Sequence, residues 1–244
     1  RIYGYNKMIY LFDVDGTITP SREVMDPDFK KFFLTLPNFS LVTGSDYPKT
    51  IEQVGEDVFK QAQYCFNCSG SDVYLRGNHI AKNSWKPSNK LIELLEQTLS
   101  SSPYPERHGN HIEVRPGMLN FSVVGRNSVG DQRTNYFKWD EENNERQRIA
   151  VLIRSKFHDL AAEVGGETGI DIYPRGSDKS QVLKYFSGNP IHFFGDRCDP
   201  SGNDYSIASR LKKRKTCQVS HVKNWKETWK ILKNHKYMNH PTAA

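Results

Sequence analysis

Two carboxylates one residue apart, Asp13 and Asp15, follow the apolar run Met8-Ile9-Tyr10-Leu11-Phe12 and lead into Gly16-Thr17. A run of this kind reads as a buried strand, so the charges stand at its end rather than in a solvated loop. A second acidic strand end answers the first: Asp196 comes directly after the apolar "IHFFG" at 191–195, and Asn203 and Asp204 follow a Gly-bearing loop. In a parallel sheet the strand C-termini share one edge, which brings Asp13, Asp15, Asp196 and Asp204 together. Clustered carboxylates repel one another unless a cation neutralises them, and hard oxygen ligands suit Mg²⁺. The candidate metal ligands are therefore Asp13, Asp15, Asp196 and Asp204.

With such a cluster neutralised, a carboxylate can attack a phosphoryl group, an electrophile that needs charge neutralisation and in-line positioning. Asp13, first in line, is the candidate for an aspartyl-phosphate. Asp15, on the same side if strand geometry persists, is the candidate acid/base for the leaving oxygen. A bare DxD also suits a turn or a metal loop; the Gly-Thr after it and the apolar strand before it make the pattern more specific. Two further elements suit phosphate. Thr43, Gly44 and Ser45 stand between the strand "SLVT" and a helix start, where a hydroxyl and backbone N–H groups bind phosphoryl oxygens. Lys179, in "GSDKSQ", offers a point charge.

The elements that must position these groups alternate. Strand-like and helix-like segments over 8–12, 27–36, 40–43 and 47–59 predict an α/β arrangement with a parallel sheet. Asp26 and Asp46 are placed to cap the two helices, each with a proline at or near its first position. A hairpin is expected around Arg76-Gly77-Asn78. From about Ala81 to Pro174 the pattern changes to a helix over 88–100, a Ser/Pro/Gly loop, alternating strands over 111–115 and 118–124, a helix over 144–164 and a strand over 170–173. The α/β rhythm then resumes with a helix over 179–185, the strand at 191–195 and a helix over 205–211. The expected organisation is therefore a discontinuous core, 1–80 with 175–244, around an inserted α+β unit at 81–174. A polar tail after about Tyr237 is expected to be partly disordered.

Composition sets outer limits. The 244 residues, 36% of them hydrophobic, can bury a sizeable core. The charge of +6 and pI near 9.0 admit nucleic acid, an anionic membrane or a small anionic substrate. The densest basic run, Lys212-Lys213-Arg214-Lys215, has no interleaved aromatic and reads as a solvated helix end, so no nucleic-acid partner is expected. Four cysteines make no disulfide framework, and the CxxC pair Cys65/Cys68 lacks the further ligands of a zinc site. With no apolar run near the roughly 20 residues of a membrane span, a cytosolic protein with no membrane partner is expected.

Asp13-Val14-Asp15-Gly16-Thr17, Thr43, Lys179 and Gly195-Asp196 with Asn203-Asp204 resemble the four motifs of the haloacid dehalogenase superfamily, in order. "IEVRPGMLNFSVVGR", "SDYPK", "DIYPRGSDKS" and "FFGD" with "GND" narrow the similarity to the eukaryotic-type phosphomannomutase family, over most of the chain. That resemblance implies a Rossmann-like core with an inserted cap of type IIB, Asp13 as nucleophile and Asp15 as acid/base. It also implies substrate contact by Arg22, binding of the phosphate distant from the metal by Arg115, Arg126 and Arg133, and sugar hydroxyls held by Asp171. The implied activity is that of an isomerase interconverting mannose 6-phosphate and mannose 1-phosphate, primed by glucose 1,6-bisphosphate or mannose 1,6-bisphosphate. GDP-mannose supply and dimerisation through the cap come with the same resemblance. A Mg-dependent sugar-phosphate phosphatase, a hydrolase forming the same intermediate, is the alternative, and a binding protein that kept the fold without the activity is a third. Guanidinium forks bind phosphate bidentately, and a second phosphate site favours the mutase. Three departures stand out, one of them a short loop between Ser100 and His111. Gly169 occupies the position of a family serine two residues before the sugar-binding Asp, and "CSGSD" replaces an expected Asn-Gly.

Overall fold

The computed structural model describes residues 8–239. Of these, residues 8–81 together with 179–239 form one compact unit, and Lys82–Asp178 form a second.

The first unit is built on β1 (Ile9–Asp13), whose apolar residues are buried on both faces. Phe12 packs with Val14, Phe29, Phe33 and Val58 on one side, whereas Ile9 and Leu11 pack with Val182, Phe186, Ile207 and Leu211 on the other. That alternation is the period of two a strand requires. Among the described residues the sheet has seven strands in the order β11-β10-β1-β2-β3-β4-β5, adding β2 (Phe39–Val42), β3 (Tyr64–Asn67), β4 (Asp72–Leu75), β5 (Asn78–Lys82), β10 (Ile191–Gly195) and β11 (Gln218–His221). β1 pairs in parallel with both β10 and β2, and β10 pairs in parallel with β11. The C-termini of β1 and β10 therefore lie side by side, as the two acidic strand ends require. The β4–β5 hairpin turns on Arg76 and Gly77, both at positive φ.

Helices cover the sheet. α1 (Pro27–Phe33) starts at Asp26, whose carboxylate accepts from the N–H groups of Asp28 and Phe29, and α2 (Tyr47–Gln61) starts at Asp46, which accepts from Lys49 N. α2 breaks its regular geometry at Gly55, where φ is +82°. α7 (Trp225–Asn239) joins α1 and α2 on the Phe12 side, whereas α6 (Tyr205–Leu211) packs on the Leu11 side. The segment Lys179–Phe186, expected as an α-helix, is 3₁₀, the tighter form used in short pieces. β11 and α7 have no counterpart among the sequence expectations. α7 runs through the start of the expected polar tail, and the remainder of that tail, past Asn239, lies outside the described residues.

The second unit packs α3 (Asn89–Ser101), α4 (Asp131–Asn143) and α5 (Glu145–Lys156) on a sheet of order β6-β7-β9-β8. Its strands are β6 (Ile112–Arg115), β7 (Met118–Phe121), β8 (Leu160–Gly165) and β9 (Gly169–Pro174), with every pairing antiparallel. Leu91, Leu95, Tyr136, Ile149 and Ile153 of the helices meet Leu119, Phe121, Ile170 and Ile172 of the strands. The expected helix over 144–164 is wrong in its second half. The chain turns after Lys156 and residues from Leu160 onward pair with β9, so Leu160 and Ala162 reach the core from a strand. α4 was not expected, because its two faces differ little in polarity. Asn144, left-handed at φ +52°, ends it and lets α5 begin at once.

The four cysteines are free, with Cys65, Cys68 and Cys198 buried. Burial pushes the Cys198 thiol up to about 12. Among the described residues no helix is long and apolar enough to cross a membrane.

Candidate active site

Asp13 ends β1 with its carboxylate almost wholly buried. Lys179, at the start of the 3₁₀ segment, places Nζ 2.6 Å from Asp13 Oδ1 and 2.8 Å from Asp204 Oδ1. All three side chains are out of solvent, so this lysine is the opposite of the solvent-facing group its type suggests. Thr17 Oγ1 donates to Asp13 Oδ2 at 3.0 Å. The turn that brings it there is closed by the N–H groups of Thr17, Ile18 and Thr19 on the carbonyl of Val14. Gly16 opens the turn at φ +75°, and a Cβ on it would stand 2.4 Å from Asp196 Oδ2. Asp204 is held from the other side by Arg197 N at 3.2 Å, and a Cβ on Gly195 would meet its Oδ2 at 2.6 Å. The two strand ends are thus packed backbone against carboxylate.

Electrostatics mark the cluster as incomplete by itself. Burial, with the charge of Asp204 next, pushes the Asp13 carboxyl well above its usual range against the pull of Lys179. The same two causes raise Asp196 to about 6. Burial alone would lower Lys179, but Asp13 and Asp204 outweigh it and hold the ammonium charged. Three carboxylates face one lysine, and one oxygen from each of Asp13, Asp196 and Asp204 lies within 4.8 Å of the others. An all-oxygen donor set with surplus negative charge is the chemistry that a small hard divalent cation fits.

The Asp15 carboxylate is not part of that cluster. Its Oδ1 accepts from the backbone N of Arg22 and from Gln53 Nε2, each at 2.7 Å. Arg22 is exposed and left-handed, at φ +60°. At the end of β2, Thr43 Oγ1 accepts from Ser45 N at 3.0 Å, and a 3₁₀ turn at Cys68–Gly70 braces the loop through Ser69 N on Thr43 O and Cys68 N on Ser45 O. Gly44 and Ser45 are partly exposed directly before α2. The departure "CSGSD" therefore supplies a backbone brace for Thr43 and Ser45.

The second unit carries its own polar constellation. Glu113 Oε2 accepts from Arg115 Nη2 and from Arg126 Nε, the latter at 3.1 Å, so one carboxylate gathers two guanidinium groups from β6 and the loop after β7. Arg133, on α4, instead pairs with Glu167 at 3.0 Å. Asp171 stands opposite Asn120 on β7 and Glu163 on β8, and Asn120 Nδ2 donates to its Oδ1 at 2.7 Å. Gly169 now has a physical reason: a Cβ there would stand 2.7 Å from Asn120 Nδ2, in the space the amide uses to reach Asp171.

Thr17, Gln53, Glu113 and Asn120 received no role from the sequence. Thr17 carried a signal, as the residue closing the DxDGT pattern. Glu113 lies two residues from Arg115 on one strand face, a spacing that predicts contact. Gln53 and Asn120 depend on helix packing and strand register, which no local pattern encodes.

A family model described as eukaryotic phosphomannomutase matches residues 30–237. A phosphomannomutase from Dendrobium officinale is 37% identical over 212 residues, covering 82% of this chain and 84% of the relative. One from Saccharomyces cerevisiae is 34% identical over 213 residues, with the same coverage of both chains. Among solved structures, the C-terminal domain of Candida albicans trehalose-6-phosphate phosphatase is similar in fold, with a TM-score of 0.61 at 14% identity over 93% of this chain and 91% of that one.

Proposed function

Because this chain belongs to the eukaryotic phosphomannomutase family, we propose that it interconverts mannose 6-phosphate and mannose 1-phosphate through an aspartyl-phosphate on Asp13. The observation that carries the residue-level reading is the Lys179 ammonium seated on the carboxylates of Asp13 and Asp204 at the end of β1. Asp13, Asp196 and Asp204, with the backbone carbonyl of Asp15, would hold Mg²⁺, which when bound neutralises the charge that otherwise keeps a phosphate from a carboxylate nucleophile.

In the first half-reaction an Asp13 oxygen attacks a phosphorus of a hexose 1,6-bisphosphate. The bond from phosphorus to the sugar oxygen breaks, and Asp15 delivers a proton to that oxygen. In the second, the free hydroxyl of a hexose monophosphate gives its proton to Asp15 and takes the phosphoryl group from Asp13. Lys179 offsets charge on Asp13 throughout, and Thr43, Gly44 and Ser45 offer a hydroxyl and N–H groups to the transferring oxygens. In the second unit Arg115, Arg126 and Arg133 bind the phosphate that does not react, as guanidinium forks do. Asp171 takes sugar hydroxyls, and Arg22 contacts substrate. The priming bisphosphate, a homodimer, a cytoplasmic setting and a place in GDP-mannose supply belong to the same reading.

The test follows mannose 1-phosphate by phosphorus NMR with enzyme, Mg²⁺ and a trace of glucose 1,6-bisphosphate. Mannose 6-phosphate is the expected product. Free phosphate alone would mean that water takes the phosphoryl group from Asp13, and the chain would be a sugar-phosphate phosphatase.

A further inference from the structure

We propose that Gln53 is a positioning residue for Asp15, fixing one carboxylate oxygen so that the other, Oδ2, exchanges the proton with the sugar. This rests on the acid/base reading of Asp15.

The geometry is specific. Gln53, fully buried in α2, donates from Nε2 to Asp15 Oδ1 at 2.7 Å and lies 3.4 Å from Thr19 Oγ1. Thr19 directs its own hydroxyl proton to the carbonyl of Pro20 at 2.8 Å, so its oxygen accepts from the amide. Reversing the amide would set a carbonyl oxygen against a carboxylate and another acceptor, which fixes the assignment of Nε2. Arg22 N reaches the same Asp15 oxygen at the same distance, and Met25 N donates to the backbone carbonyl of Gln53 at 2.8 Å. The two donors on Asp15 are thus tied to each other through the chain between Arg22 and Met25.

The arrangement has a cost that packing alone does not explain. Gln53 Oε1 is buried and has no partner among the described residues. An apolar side chain of the same length would fill this space without stranding an acceptor, so the amide is retained for what its donor does. Held by two donors on one oxygen, the Asp15 carboxylate cannot rotate freely. Proton transfer needs such a fixed approach, because a misplacement of about 1 Å costs about 100-fold in rate.

The experiment compares two phosphoryl donors. Glucose 1,6-bisphosphate releases a sugar oxygen that must be protonated, whereas acetyl phosphate releases acetate, stable as an anion and in no need of Asp15. Phosphorylation of Asp13 is timed for the wild type, Gln53→Met, Gln53→Glu, Asp15→Ala and the double variant Asp15→Ala/Gln53→Met. Both Gln53 variants are expected to lose about 10- to 100-fold with the bisphosphate and to stay within about threefold with acetyl phosphate. Gln53→Met should add nothing in the Asp15→Ala background, since a residue acting through another has no effect once that partner is gone. Equal losses with both donors, no loss with either, or full additivity in the double variant would overturn the proposal. Should one Gln53 variant fail to fold, the other carries the comparison. The contrast between donors does not depend on which sugar is the substrate, so a chain that forms the phosphoenzyme but makes no mannose 6-phosphate overturns the assigned function while the donor contrast still decides the role of Gln53. A wild type that neither donor phosphorylates at Asp13 overturns both.

Discussion

Lys179 Nζ and Asp13 Oδ1 meet at 2.6 Å across 166 residues of sequence, both buried. Joining a nucleophile early in the chain to a cation far along it, this pair makes the phosphoryl site a property of the folded core rather than of a local motif. The first prediction concerns its anionic member. Asp13→Asn keeps the shape but removes the nucleophilic oxygen, so no acid-stable, base-labile phosphate should appear on the protein with labelled bisphosphate. Normal turnover by this variant would remove the nucleophile assignment.

Removing the cationic member strands charge. Lys179→Met leaves Asp13 and Asp204 facing each other out of solvent, and losing one partner of a buried ion pair costs about 3 kcal/mol or more. Urea unfolding should show that loss, and added Mg²⁺ should restore part of it.

The raised Asp196 carboxyl sets a pH dependence with a definite sign. Its folded value of about 6 lies above its ordinary 3.8, so across that window the folded chain binds more protons than the unfolded one. The contribution of this group to stability in metal-free protein therefore falls as pH rises from about 4 to 6, and Asp13 acts in the same direction. Thermal melts of wild type minus Asp196→Asn should trace this fall in chelator. Mg²⁺ should stabilise the wild type strongly above the window and weakly below it, where protons compete; a cation effect independent of pH would contradict the assigned ligands.

Arg126 shares Glu113 with Arg115, so losing one guanidinium leaves the other held in place. Arg126→Ala should raise KM for mannose 1-phosphate by about 10- to 100-fold, the loss of one charge-assisted phosphate contact, while leaving Asp13 phosphorylation by acetyl phosphate intact. Steady-state kinetics with both donors make the distinction.

Gly169→Ser, the change toward the family's residue, should be destabilising here. The new Cβ would stand 2.7 Å from Asn120 Nδ2, and moving that buried amide breaks its bond to Asp171, a loss of about 1 kcal/mol. Calorimetry on Gly169→Ser and on Gly169→Ser/Asn120→Ala should show the second change relieving the first; additive losses would refute the coupling.

The acidic strand ends were legible because an apolar run ending in carboxylates has few other readings; the run is apolar throughout, so which face Phe12 and Leu11 would each take was not. The helix expected over 144–164 failed for a definite reason. Ile149, Ile153, Phe157 and Leu160 keep helical spacing across the point where the chain turns, and only the pairing with β9 shows that Leu160 belongs to a strand. α4 went unseen because it buries little beyond Tyr136 and Asp140. Lys179 was legible as a motif residue but not as a buried one, since its burial depends on Asp13 and Asp204 arriving from elsewhere. The bond from Gln53 to Asp15 spans 38 positions and left no local trace.

The strand order has a consequence for how the chain is made. β1 lies between β2 and β10, and β2 comes after it almost at once, but β10 is not synthesised until residues 191–195 leave the ribosome. At elongation rates of about 5 to 20 residues per second, one hydrogen-bonding edge of the most apolar strand stays open for roughly ten seconds or longer. An open apolar edge is a template for pairing with another chain, so the nascent polypeptide is most exposed to aggregation after the second unit has emerged and before β10 has closed the sheet.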